Sequence, residues 1–104
     1  MIKHVVLFQL KDDVDAAEKQ RVMEAFKAGI LALPETISCI RHIEVGFNAN
    51  AKESYDVALY SEFDSLADVQ AYAVHPNHVA VAQIIIPYVK NRACTDYEIK
   101  EKQR

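Results

Sequence analysis

Between Tyr72 and His78 the chain reads Tyr-Ala-Val-His-Pro-Asn-His, which gathers one tyrosine, two of the four histidines and one of the three prolines. Imidazole and phenol are the side chains best suited to moving or stabilising a proton near neutral pH. Pro76 disfavours helical geometry at His75 and has no amide to donate, yet it fits the first turn of a new helix. His78 then falls within that turn. Free amides and the positive end of the helix dipole disfavour imidazolium there, so the ring stays neutral and able to accept a proton. Tyr72 lies on the preceding helix, where a phenol donates to a carbonyl or a developing oxyanion. His4, set in an otherwise apolar first segment, joins them if its face lines the same cavity. The expectation is a small polar cluster of Tyr72, His78 and His4 inside an apolar pocket. The same residues have a plainer reading as capping and packing groups. In it His75 bonds the freed carbonyls of the preceding helix and His4 is a structural histidine satisfied by one hydrogen bond.

Other chemistries find little support. His75 and His78 have no third metal ligand at a usual spacing, so neither a metal nor an organic cofactor is expected. Gly29 and Gly46 are the only glycines, which excludes a phosphate-cradling loop. No serine stands in an elbow motif. Cys39 and Cys94 are far apart and follow no redox spacing, and both are expected to be reduced, buried and inert.

Composition narrows the class further. The 104 residues suit one domain, spanning 1–104, with a single core. With 51% hydrophobic and 26% charged residues the chain reads as an ordinary globular protein. A net charge of −3 gives no footprint for nucleic acid. No apolar run approaches the ~20 residues of a membrane helix, and the N-terminus lacks a signal-peptide pattern. No membrane partner and a cytoplasmic location are therefore expected. The basic end at Lys100, Lys102 and Arg104 reads as a solvated tail.

The elements that must position the cluster follow from periodicity. Ile2 to Leu10 alternates as a strand, with Ile2, His4, Val6, Phe8 and Leu10 on one face and Val5 and Leu7 on the other. Asp15 to Glu18 resembles a capping box, and Val22, Phe26, Ile30 and Leu33 form the stripe of a helix ended by Pro34. Further strands are expected over Ile37 to Phe47, Tyr55 to Phe63 and Asn91 to Ile99. Ser65 to Asp68 caps a short helix whose buried face is Leu66, Val69 and Ala73, with Tyr72 towards its edge. A second helix restarts at Pro76 and runs to about Ile86. The order β-α-β-β-α-β is the ferredoxin-like α+β plan, a four-stranded antiparallel sheet with helices on one face. The other face is expected to carry Val6, Phe8, Ile43, Val45, Val57 and Leu59. At ~25 cal/mol per Å² such a patch drives association, and a two-fold homodimer through the open sheet face would cover it.

Four stretches carry a family resemblance: Lys3-His4-Val5-Val6-Leu7-Phe8; Tyr55 to Leu59 with Glu62-Phe63; Tyr72 to Val79; and Arg92-x-Cys94-x-Asp96-Tyr97. In this order, over essentially the whole chain, they resemble the stress-responsive α/β-barrel (Dabb) family. The resemblance implies a dimeric α/β-barrel on the ferredoxin-like plan. In the family's polyketide cyclase branch, a tyrosine and a histidine of Tyr-x-x-His-Pro-x-His act as acid–base residues on a β-polyketo chain that closes by an aldol step. Those positions match Tyr72 and His78, and the histidine of the first strand matches His4. The cyclase type has a histidine on the third strand and a tyrosine on the first helix, where this chain has Val57 and Phe26. Both differences make the pocket more apolar. The resemblance thus implies His78 as general base and Tyr72 as donor to an enolate or phenolate. His4, Phe26, Val57 and Leu59 would touch a small phenolic or keto ligand. The alternative is a non-catalytic, stress-associated dimer with structural histidines.

Overall fold

A computed structural model describes residues 1–100 of the chain. The expected tail residues Lys102 and Arg104 lie outside the described residues. The first strand, β1 (Ile2–Leu10), follows its alternation: Ile2, His4, Val6, Phe8 and Leu10 are buried and the residues between them half-buried. Helix α1 (Ala16–Ala32) starts at Asp15, whose carboxylate accepts the Glu18 amide at 2.8 Å. Its stripe of Val22, Phe26 and Ile30 faces the sheet. At Leu33 the chain tightens into a 3-10 turn (Leu33–Glu35) that accommodates Pro34.

Strand β2 (His42–Phe47) begins later than the alternation from Ile37 suggested. Ile37 and Ile40 are both buried, three residues apart, because they belong to a turn tucked under the core. The Ile37 amide is held by the Leu33 carbonyl at 2.9 Å, so the segment continues the helix end instead of pairing. Strand β3 (Val57–Phe63) likewise starts after Tyr55 and Asp56. Asp56 is taken up at the strand end, its carboxylate accepting the Leu10 amide at 2.7 Å. Helices α2 (Leu66–Val74) and α3 (Pro76–Ile85) follow, then a 3-10 turn (Ile86–Tyr88) and strand β4 (Val89–Glu98). The sheet order is β2-β3-β1-β4, with all neighbours antiparallel. This is the ferredoxin-like plan, its second helix broken in two at Pro76.

Two expectations about faces are corrected. Val6, Phe8, Val45, Val57 and Leu59 do not form an uncovered patch: all are buried, at 2–7% exposure, and Ile43 packs against the same core. Helices cover the face of β1 that carries Phe8, whose ring meets that of Phe26 edge-on at 5.5 Å. By register the uncovered face carries Lys3, Val5 and Leu7 beside Ala58, Tyr60 and Glu62 on one side and Ala93, Thr95 and Tyr97 on the other. It is more polar than expected, with Lys3 paired to Glu62 at 2.7 Å. On α2, Leu66 and Ala73 are exposed while Tyr72, expected near the edge, is 1% exposed. Cys94 is exposed as well, because β4 stands open along nearly its whole length. Among the described residues, no helix is long and apolar enough to cross a membrane.

Candidate functional site

The break between α2 and α3 is built by its own sequence. His75 has an extended backbone, as the residue before a proline prefers. Its Nδ1 accepts the Asn77 amide at 3.1 Å, so the His75 ring caps the start of α3, and of its groups only the backbone amide bonds a freed carbonyl of α2. The His75 amide donates to the Tyr72 carbonyl at 3.2 Å, and His78 Nδ1 lies 3.1 Å from the Ala73 carbonyl. Asn77 then ties the junction to Thr36 at 2.9 Å.

The contact with Ala73 settles the state of His78. A carbonyl oxygen only accepts, so Nδ1 must carry the proton and Nε2 keeps a free lone pair. Burial lowers the proton affinity of His78 below the ordinary histidine range. The Ala73 carbonyl opposes this, while the positive charge of Arg92 adds to it. The ring is therefore neutral at pH 7 with one nitrogen able to accept a proton.

Tyr72 packs directly on it, with ring centroids 4.3 Å apart. The phenol also lies 5.1 Å from Phe63 and 6.1 Å from His4, centroid to centroid. Its hydroxyl is buried without a hydrogen-bond partner among the described residues. Burial pushes its pKa well above the ordinary phenol range, so the group stays protonated and remains a donor. A buried donor left unpaired costs about 1–3 kcal/mol, and a ligand oxygen would relieve that cost. The Ser61 hydroxyl, cross-strand from His4, is orphaned in the same way.

His4 is 8% exposed, and its Nδ1 makes a short hydrogen bond to the Asp96 carboxylate across the β1–β4 ladder. The acceptor again places a proton on Nδ1. Cys94 Sγ approaches the same Nδ1 at 3.9 Å. His4, Cys94 and Asp96 are the one group among the described residues with metal-ligand proximity, their donor atoms all lying within 4.8 Å of one another. As it stands the trio is held by its own hydrogen bonds.

A cavity of about 220 Å³ opens between sheet and helices, and its wall includes His4, Phe26, Leu59, Tyr72 and His78. Five of the residues singled out by sequence thus meet in one place. Val57 is not on that wall. It is buried one register step further along, between Phe8 and Phe47. The wall also takes Val6 and Phe8, which share the face of His4, and Ile86 and Arg92, which sequence reasoning missed. The alternation of Arg92, Cys94 and Asp96 along the last strand was the available signal, but only strand pairing shows that this row faces His4.

Comparison with known proteins places this geometry among relatives. The family model of the stress responsive A/B barrel domain (Dabb) matches residues 2–99. A dimeric protein of unknown function with a ferredoxin-like fold, from Bacteroides fragilis, superposes with a TM-score of 0.93 at 55% identity, covering 94% of this chain and 95% of that one. A stress-response A/B barrel domain-containing protein of Arabidopsis thaliana is 27% identical over 93% of this chain, which spans only 36% of that longer protein. Olivetolic acid cyclase of Cannabis sativa is 22% identical over 92% of this chain and 94% of its own length.

Proposed function

The chain belongs to the stress responsive A/B barrel (Dabb) family, and on that premise we propose that it is a homodimer whose cavity binds a small keto or phenolic compound and carries out cofactor-free acid–base chemistry on it. The observation that carries this reading is the pairing of an orphaned, protonated Tyr72 hydroxyl with a neutral His78 on one apolar wall. In the step it supports, His78 Nε2 takes a proton from the carbon next to a ligand carbonyl. The electron pair of that C–H bond moves into an enolate, and Tyr72 donates a hydrogen bond to the oxyanion. The Asp96 carboxylate holds the His4 ring, and His4 packs beside Tyr72 as an orienting partner. Phe26 and Leu59 supply the apolar wall, while Val57 supports it from behind through its pairing with Phe8. Dimerisation through the uncovered sheet face draws support from the dimeric Bacteroides fragilis relative and from Val5, Leu7 and Ala93 on that face.

A second reading keeps the dimer and drops the chemistry. It draws on the fact that both histidines of the cluster already bond within the chain, His78 to a backbone carbonyl and His4 to Asp96. Deuterium incorporation next to the carbonyl of phenylacetone, followed by proton NMR in heavy water, separates the two. The wild type should speed exchange, and Tyr72→Phe or His78→Gln should each lose on the order of a hundredfold. Exchange no faster than in buffer would leave the non-catalytic dimer standing.

A further inference from the structure

Arg92 stands on the wall of the Tyr72–His78 cavity, opposite Phe8 in the β1–β4 register and on the same face of the sheet as His4. It is exposed, as are Ala73 and Ile86, and these three mark the mouth of the cavity. Behind them the wall is apolar, built from Val6, Phe8, Phe26 and Leu59. Among the described residues, the ion pairs of lysine and arginine use Lys3, Arg21, Arg41 and Lys90, and Arg92 takes part in none. The acid further along its own strand face, Asp96, is already engaged by His4. A guanidinium offers a planar fork of donors and no acceptor, and its natural complement is a carboxylate held by two parallel hydrogen bonds.

We propose that Arg92 is the specificity-determining residue of this cavity, and that the ligand is a small organic acid. Its carboxylate binds Arg92 at the mouth, and its carbonyl or phenolic oxygen lies against Tyr72 inside. The inference rests on the cavity being the ligand site and adds the ligand's charge and orientation. The cavity's 220 Å³ equals the liquid volume of about seven waters, which suits one ring with a short acid arm. The charge of Arg92 also weakens the proton affinity of His78. A bound carboxylate offsets that charge, so an acid ligand restores basicity to the group that deprotonates it.

The test is isothermal titration calorimetry at low ionic strength with 4-hydroxyphenylacetate and its isosteric neutral amide, 4-hydroxyphenylacetamide. The wild type should bind the acid about tenfold or more tightly than the amide. Arg92→Gln should abolish that preference by weakening the acid alone, Arg92→Lys should keep part of it, and added salt should shrink it. As an exposed residue, Arg92 is replaceable without loss of fold. Equal affinities in the wild type, or a preference that survives Arg92→Gln, would overturn the role of Arg92. In that event, amide binding that disappears in His78→Ala keeps the cavity as the site. Failure of both probes to bind, or binding indifferent to His78→Ala, overturns both proposals.

Discussion

Replacing Tyr72 by phenylalanine should make the unliganded protein more stable, the opposite of what a change to a 1%-exposed core aromatic usually does. Phenylalanine keeps the ring and therefore its contacts with His78, Phe63 and His4, at centroid distances of 4.3, 5.1 and 6.1 Å. Only the hydroxyl is removed, and it has no partner among the described residues. An unsatisfied buried hydroxyl costs about 1–3 kcal/mol in the folded state, and the unfolded chain does not share that cost. For a domain near this size, each 1 kcal/mol moves the melting temperature by about 4–8 °C. The lower bound alone is thus readable by differential scanning calorimetry, run at one protein concentration because association shifts apparent stability. The same variant should lose proton exchange on phenylacetone, so stability and activity move in opposite directions, as expected of a group retained for its chemistry. A melting temperature lowered by several degrees would refute the reasoning, since it would mean that the hydroxyl is hydrogen-bonded in the folded protein.

Two further predictions follow from the packing and titration of the same region. Gly29 lies where α1 meets α3, and a Cβ there would sit 2.9 Å from Val81 Cγ1. Gly29→Ala gains about 1 kcal/mol of helix propensity but overpacks the contact at a cost of about 1–3 kcal/mol, so it should be neutral to destabilising. Adding Val81→Ala should restore stability beyond the sum of the single effects in urea denaturation, and strict additivity would contradict the contact. The pH dependence follows from His78, whose folded-state proton affinity lies below its unfolded value of about 6.5. Between the two values the unfolded chain binds more protons, so the contribution is complete above about pH 6.5 and is lost as pH falls towards the folded pKa. His78→Gln should therefore flatten the loss of stability below pH 6.5, by up to about 1.4 kcal/mol per pH unit for one proton. Parallel stability curves for wild type and variant would contradict it.

Local chemistry is where the chain speaks for itself. The alternation from Ile2 to Leu10 predicts β1 to the residue, because neighbours in a strand alternate faces whatever packs on them. Asp15 and Ser65 predict helix starts because each side chain bonds an amide three residues on, and Pro76 predicts the break because its ring forbids a continuous helix. From these alone come the ferredoxin-like order of elements and the placing of Tyr72 and His78 on either side of one junction. Periodicity, however, divides a strand into two faces without saying which one receives the helices. That choice belongs to packing, and it moved Val6, Phe8, Val45, Val57 and Leu59 from the open face into the core. It also took Tyr72 from the rim of its helix into the interior, and it left Ile37 and Ile40 in a turn where the pattern read strand. The site depends most on pairings between distant parts of the chain. His4 meets Asp96, 92 residues away, and Arg92 reaches the cavity only because β4 pairs with β1 in a register that sets it opposite Phe8. Such contacts are made by the closing of the sheet, which no local pattern of residue types records.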